Sequence, residues 1–101
     1  MNAVIEAATN QLYSAHNSLH PTNFYCSAPA AKSVALAGDF NRWRPMPMSH
    51  RVDGWWYIQV ELPHGHHQYH FLVDGRPTLD PQASGTARDG DNQLVSLVAV
   101  S

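Results

Sequence analysis

Residues 55–73 read WWYIQVELPHGHHQYHFLV, and this stretch decides the fold. Both of its halves alternate side chains with a period of two, which is typical of β-strands and not of helices. The side chains expected on one shared face are Trp56, Ile58, Val60, Leu62, His67, Tyr69, Phe71 and Val73. Between the halves, Pro63-His64-Gly65 is a turn signal. The stretch therefore predicts an antiparallel hairpin with one buried face.

Shorter strand-like runs flank the hairpin at residues 23–26, 33–37 and 92–100. Tight turns are indicated at Asp53-Gly54 and Asp74-Gly75. Residues 38–47 and residues 77–91 are rich in Gly, Pro, Asn and Asp, and we expect both to be loops. Recurrent short strands without helices between them predict an all-β antiparallel sandwich. The core expected from the alternation contains Val34, Leu36, Trp56, Ile58, Tyr69, Phe71 and Val73.

Residues 1–20 differ in composition from the rest and are rich in Ala, Asn, Ser and His. The apolar positions Val4, Ile5, Ala8, Leu12 and Tyr13 have roughly helical spacing. So short a helix is marginal without a surface to pack on. We therefore expect residues 1–20 to be a short helix or a flexible segment, and residues 21–101 to be one β-sandwich domain.

The composition of the 101 residues excludes several kinds of partner. The net charge of −2, with one lysine, gives no basic surface for nucleic acid. No apolar run approaches the roughly 20 residues of a membrane span, and the first residues lack the features of a signal peptide. Cys26 is the only cysteine, so an internal disulfide is impossible. We expect a cytoplasmic protein that binds neither nucleic acid nor membranes.

Residues 34–43, VALAGDFNRW, resemble the opening signature of the family 48 carbohydrate-binding modules. Four further segments follow in the order of that family: PMPM with DGWW at 45–56, LPHGHHQYHF at 62–71, VDG with DP at 73–81, and NQLV from residue 92. The family includes the glycogen-binding domain of the AMP-activated protein kinase β subunit and N-terminal domains of branching and debranching enzymes. The resemblance covers residues 23–100 and implies an immunoglobulin-like β-sandwich that binds α-glucan.

The resemblance also implies which side chains bind the glucan. In the family, the tryptophan that corresponds to Trp43 stacks on the sugar, and the lysine at the position of His70 donates hydrogen bonds to hydroxyls. Neutral histidine can also donate and accept such bonds. Asn92 corresponds to an asparagine that contacts a sugar hydroxyl. We therefore predict a carbohydrate site that contains Trp43, His70 and Asn92.

Two departures from the family affect this site. Kinase-type members carry a second stacking tryptophan where this chain has Pro77, which offers a smaller apolar face. The segment that starts at Arg88 replaces other family contacts. We include Arg76, Pro77 and Arg88 as further candidate carbohydrate ligands. The alternative is a protein-interaction module that has lost most glucan affinity, with a glucan-metabolising enzyme or a kinase-like protein as its partner.

Catalysis and metal binding find no support in the sequence. The aspartates stand in turn contexts, where the side chain bonds its own backbone, and glycoside hydrolysis needs two carboxyls held across one bond. The histidines His64, His66, His67 and His70 lie close in sequence, but neighbours on a strand face opposite ways. We expect a module that is not an enzyme and that needs no metal or cofactor.

Overall fold

The computed structural model describes residues 18–101, which form nine β-strands and one short 3-10 helix, Asp39–Asn41. The strands are β1 Leu19–Ser27, β2 Val34–Gly38, β3 Met46–Pro47, β4 Ser49–His50, β5 Trp55–Pro63, β6 Gly65–Val73, β7 Arg76–Thr78, β8 Gly85–Arg88 and β9 Leu94–Val100. The two strands predicted within residues 55–73 are the long strands β5 and β6, but the prediction that they pair as a hairpin is wrong, because they belong to different sheets. In this part of the chain no helix is long and apolar enough to cross a membrane.

The strands form two antiparallel sheets. The smaller has the order β1-β5-β4, and the larger has the order β3-β2-β6-β9-β8, with β7 also paired to β6. Successive strands β5 and β6 belong to different sheets, so the turn at residues 63–65 connects the two layers. The predicted antiparallel β-sandwich is confirmed.

The core lies between the two sheets. Five of the seven side chains predicted for it are buried: Val34, Leu36, Trp56, Tyr69 and Phe71. Ile58 and Val73 are partly buried and pack against this cluster, which Phe24, Cys26, Met48, Leu62 and Val100 complete. The period-two alternation of β2, β5 and β6 therefore identified the inward faces correctly.

One buried polar contact fastens the long loop after β7 to the core. The Tyr69 hydroxyl donates to Asp80 Oδ2 at 2.6 Å, and the Asp80 amide donates to Ser96 Oγ at 2.9 Å. Burial, the hydrogen bond and the charge of Asp80 all raise the pKa of Tyr69. Since Tyr69 and Ser96 are nearly inaccessible to solvent, these bonds satisfy polar groups that would otherwise be costly to bury.

The prediction of a loop without regular structure at residues 77–91 is wrong in part, because β7 and β8 lie in this region. Both strands are short, and every residue of β7 is exposed. An exposed edge strand buries no face, so it carries no apolar alternation that a sequence reading could detect. The first strand is also longer than expected and begins at Leu19. The helical pattern expected within residues 1–13 lies outside the described residues.

Candidate functional site

The loop between β2 and β3 presents Trp43 and is held by a tight set of hydrogen bonds. Asn41 uses both ends of its side chain: Oδ1 accepts from the Gly38 amide at 2.9 Å, and Nδ2 donates to the Arg44 carbonyl at 2.8 Å. The Trp43 amide donates to the Gly38 carbonyl at 2.8 Å. These three bonds fix the backbone on both sides of Trp43.

The backbone of this loop is strained at two consecutive positions. Arg42 and Trp43 both have φ of 59°, in the left-handed region that non-glycine residues rarely adopt. Each such residue costs roughly 1–2 kcal/mol. Strained conformations of this kind persist where the surrounding structure imposes them, and they cluster at ligand sites. The loop therefore trades stability for a fixed position of the Trp43 side chain.

The same loop is anchored to β6 through Asp39. Its Oδ2 accepts from the Gln68 amide at 3.0 Å, and its Oδ1 lies 3.6 Å from Nδ1 of His67. The other ring nitrogen of His67 donates to the Pro63 carbonyl at 2.9 Å. His67 therefore has a structural role, because its ring links Asp39 of the loop to Pro63.

Trp43 meets His70 on the outer face of the large sheet. Strand alternation turns His70 away from the buried Tyr69 and Phe71, and the rings of Trp43 and His70 contact edge to face at 5.2 Å and 61°. Both side chains are half-buried. Burial lowers the pKa of His70, and the carboxylate of Asp89 partly opposes this effect. His70 is therefore mostly neutral at pH 7 and can both donate and accept a hydrogen bond.

The turn between β8 and β9 places Asn92 at the end of this sheet. Asn92 is exposed and left-handed, with φ of 64°. Its amide donates to the Asp89 carbonyl at 3.0 Å, and its carbonyl accepts from Nη1 of Arg88 at 3.0 Å. Asp89 lies near enough to His70 for its charge to affect that ring. The turn that carries Asn92 therefore also carries the carboxylate that acts on the His70 ring.

An apolar row crosses the outer face next to His70. Leu72 of β6 stands opposite Ala35 of β2 on one side and opposite Pro77 of β7 on the other, and Ala35 in turn faces Pro47 of β3. Pro47 and Pro77 are exposed at the two ends of the row. The pleat puts every member on the same face as His70. This row was not expected from the sequence, because it depends on the pairing of β3 with β2 and of β7 with β6.

The two candidate arginines lie apart from this face. Arg76 is paired with Val73 and Arg88 with Leu94, so the pleat directs both toward the opposite side of the sheet from His70. Arg76 lines an open groove of about 730 Å³ formed by the end of β1, the turn after it, β7 and the loop that follows β7. The guanidinium of Arg88 is bonded to the carbonyl of Asn92. Of the six candidate residues, Trp43 and His70 are in contact, and Pro77 lies on the same sheet face.

Acidic, histidine and cysteine side chains form no metal-binding cluster in residues 18–101. His64 and His66 are exposed, while His67 is held by Asp39 and Pro63. Cys26 is a free, buried thiol whose pKa is raised by burial.

Gly38 provides a test of how the loop is built. A Cβ at this position would overlap the Phe40 ring and would lie 2.7 Å from the Gln68 carbonyl, so both groups would have to move. We expect Gly38→Ala to lower the free energy of unfolding by about 1–3 kcal/mol, as overpacking does. Chemical denaturation measures this effect. Gly90→Ala is the control, since a Cβ there meets nothing within 4 Å, and equal stability of the two variants would contradict the close approach.

The fold and this site define a class: an immunoglobulin-like β-sandwich with a half-buried tryptophan, a half-buried histidine and an apolar row on the outer face of one sheet. Residues 20–101 match the family described as the glycogen recognition site of AMP-activated protein kinase. Because the match covers most of the chain, the protein belongs to this family of carbohydrate-binding modules.

Three relatives illustrate the range of proteins in which similar sequence occurs. The chain is 46% identical over 50 residues to 5'-AMP-activated protein kinase subunit beta-1 of Sus scrofa and 44% identical over 50 residues to that of Homo sapiens. It is 40% identical over 88 residues to the 1,4-alpha-glucan branching enzyme GlgB of Lactobacillus acidophilus. These alignments cover 50%, 50% and 76% of this chain, but only 40%, 18% and 14% of the relatives.

Proposed function

We propose that this chain binds α-glucan without catalysis on the outer face of its large sheet, with Trp43 as the stacking platform. The observation that carries the proposal is the edge-to-face contact of Trp43 with His70 at 5.2 Å, on a loop whose strained backbone is fixed by hydrogen bonds. Membership of a family of glycogen recognition sites supports the choice of glucan as the ligand.

The chemistry of each side chain suits a sugar chain. A glucose ring has apolar C–H faces that can lie on the half-exposed Trp43 ring, while its hydroxyls extend sideways. His70 and Asn92 supply neutral groups that donate and accept hydrogen bonds. The apolar row from Pro47 to Pro77 extends the surface beyond the reach of one ring. We propose that Pro77 forms one end of this surface.

The candidate arginines have different places in this proposal. Arg88 supports the turn through its bond to the Asn92 carbonyl, so its direct contact with a sugar stays a prediction. Arg76 extends toward the opposite side of the sheet from His70, and its sugar contact also stays a prediction. Neither is needed for a site built on Trp43, His70 and Asn92.

Affinity measurements test the proposal directly. We expect a dissociation constant for maltoheptaose of roughly tens of micromolar to millimolar, because one tryptophan supplies the stacking. Isothermal titration with maltoheptaose and retardation in a native gel cast with glycogen provide two independent readouts. A cellooligosaccharide of equal length is the control ligand, since its β-linked chain is straighter. No binding of maltoheptaose at millimolar concentration would overturn the glucan proposal.

Pro77→Trp is expected to strengthen maltoheptaose binding. Position 77 is exposed on the same face as His70 and lies directly opposite Leu72, so an added indole can meet the sugar that lies on Trp43. Stacking of a nucleic-acid base on an aromatic ring is worth about 1–3 kcal/mol, and the same scale for sugar gives roughly a 5- to 150-fold gain. Titration of Pro77→Trp against wild type measures it. Arg76→Trp, on the opposite side of the sheet, should give no such gain.

A second candidate function is a protein-interaction module. Tyr25 and Tyr57 pair at 5.1 Å on the outer face of the small sheet, and Trp55 lies on the same face. Aromatic residues of this kind are enriched at protein interfaces. Proteins of similar sequence include a kinase subunit and a branching enzyme. The partners that we propose for this face are therefore a kinase-like protein or a glucan-metabolising enzyme. The two functions are compatible, because they use opposite faces of the sandwich.

The proposal assigns no chemical step to this domain, and the whole protein's activity is a separate question. The cytoplasmic location expected from the sequence stays a prediction. Fractionation of cells that express the tagged chain, together with a glycogen pelleting assay, would test location and glucan association in one experiment.

A further inference from the structure

Asp89 makes more contacts within its turn than any sugar-binding candidate does. Its Oδ1 accepts from the amides of Asp91 and Gln93, both at 2.9 Å. Its carbonyl accepts from the Asn92 amide at 3.0 Å, and its own amide donates to the Gln93 carbonyl at 2.9 Å. One aspartate therefore closes the turn on both sides of Asn92.

These contacts hold Asn92 in a conformation that it would otherwise avoid. A left-handed φ of 64° is unfavourable for residues other than glycine, although asparagine tolerates it better than most. The bond from Arg88 to the Asn92 carbonyl adds a further restraint from the other arm of the hairpin. The backbone conformation of Asn92, which determines where its side chain starts, is thus set by its neighbours.

Asp89 also faces the rest of the site. Continued alternation from Ala87, which pairs with Val95, puts position 89 on the outer face of the sheet. Its carboxylate is the charge, among the described residues, that acts on the His70 ring. Asp89 therefore connects the turn of Asn92 to the Trp43–His70 pair.

We propose that Asp89 is a positioning residue of the glucan site, which holds Asn92 beside the Trp43–His70 pair so that both polar side chains meet the same sugar. This inference rests on the proposed glucan function. Asp89 itself touches no sugar in the proposed site. It acts through two properties, its hydrogen bonds within the turn and its negative charge near His70.

Two substitutions distinguish these properties. Asp89→Ala removes the bonds to Asp91 and Gln93, and we expect maltoheptaose affinity to fall about fivefold, the equivalent of one hydrogen bond. Asp89→Asn keeps an acceptor oxygen but removes the charge, so it should retain most of the affinity at pH 7.5. Asp91→Ala is the matched control, because the exposed Asp91 carboxylate makes no hydrogen bond among the described residues.

A double-mutant cycle tests whether Asp89 acts through Asn92. If it does, adding Asp89→Ala to Asn92→Ala should weaken binding no further than Asn92→Ala alone, because contacting residues that act as a unit are not additive. Fully additive losses would overturn the inference. Unchanged affinity in Asp89→Ala, with normal binding by wild type, would also overturn it while leaving the glucan proposal intact.

Nuclear magnetic resonance supplies a readout that needs no sugar. The pKa of His70 should be lower in Asp89→Asn than in wild type, because a nearby negative charge that favours the protonated ring has been removed. Asp91→Asn should leave it unchanged. Faster hydrogen exchange of the Asp91 and Gln93 amides is expected in Asp89→Ala. If wild type binds no maltoheptaose, the glucan proposal fails. Separately, an unchanged His70 pKa in Asp89→Asn, or unchanged amide exchange in Asp89→Ala, would overturn the placement of Asp89.

Discussion

Replacing Trp43 with alanine is expected to abolish measurable binding of maltoheptaose while the domain stays folded. Trp43 is the only tryptophan on the outer face of the large sheet within the described residues, so no other indole can take its place. If stacking contributes at the upper end of about 1–3 kcal/mol, affinity falls roughly 150-fold. That loss moves a weak site beyond the range of titration calorimetry.

The unfolding transition distinguishes loss of the platform from loss of the fold. Trp43 lies on a loop and is half-buried, so we expect its truncation to cost about 1 kcal/mol, an ordinary value for a point substitution. Trp55→Ala is the control, because Trp55 is also half-buried but lies on the outer face of the other sheet. Undiminished binding by Trp43→Ala, or equal loss in Trp55→Ala, would show that the sugar binds elsewhere.

Strands β5 and β6 show what the sequence alone could establish about the fold. Each strand has one face in the core and one outside, so the burial difference appears as a period of two over nine residues. Strand β7 has no such contrast because all three of its residues are exposed, and the alternation of β8 extends over only four residues at the sheet edge. Their existence follows from backbone pairing with β6 and β9, which a local pattern does not encode.

The site was predictable to a different degree. Alternation along β6 gave the face of His70, and the resemblance to a known family gave Trp43 and Asn92. Asp89 was expected in a turn where its side chain bonds its own backbone, but the sequence assigned it no part in the site. Its proximity to His70 depends on the β8–β9 hairpin, and β8 itself was not predicted. The placement of Arg76 and Arg88 away from His70 depends on the edge strands β7 and β8, which carry these two residues.

The second large effect concerns the core, where Trp56 has the opposite role to Trp43. Trp56 is 6% exposed, it stacks on His50 at 4.4 Å, and its Nε1 donates to the Ala28 carbonyl at 3.0 Å. Trp56→Ala should lower the free energy of unfolding by about 3–5 kcal/mol, as large-to-small core changes do. The lost indole also leaves the Ala28 carbonyl without this donor. Since small domains are stable by about 5–15 kcal/mol, the variant should be marginally folded.

Trp56→Phe separates the two contributions to this loss. Phenylalanine restores most of the apolar volume but cannot donate to Ala28, so it should recover more than half of the lost stability. Urea denaturation followed by circular dichroism measures all three proteins, and Trp55→Ala, with a change of about 1 kcal/mol or less, is the matched control at the adjacent position. The register requires this contrast, because Trp55 and Trp56 pair with Ser27 and Cys26 and must face opposite sides of the sheet. Equal destabilisation by Trp55→Ala and Trp56→Ala would mean that the inward face of β5 has been assigned incorrectly. The assignment of core and outer faces in the sandwich would then be wrong as well.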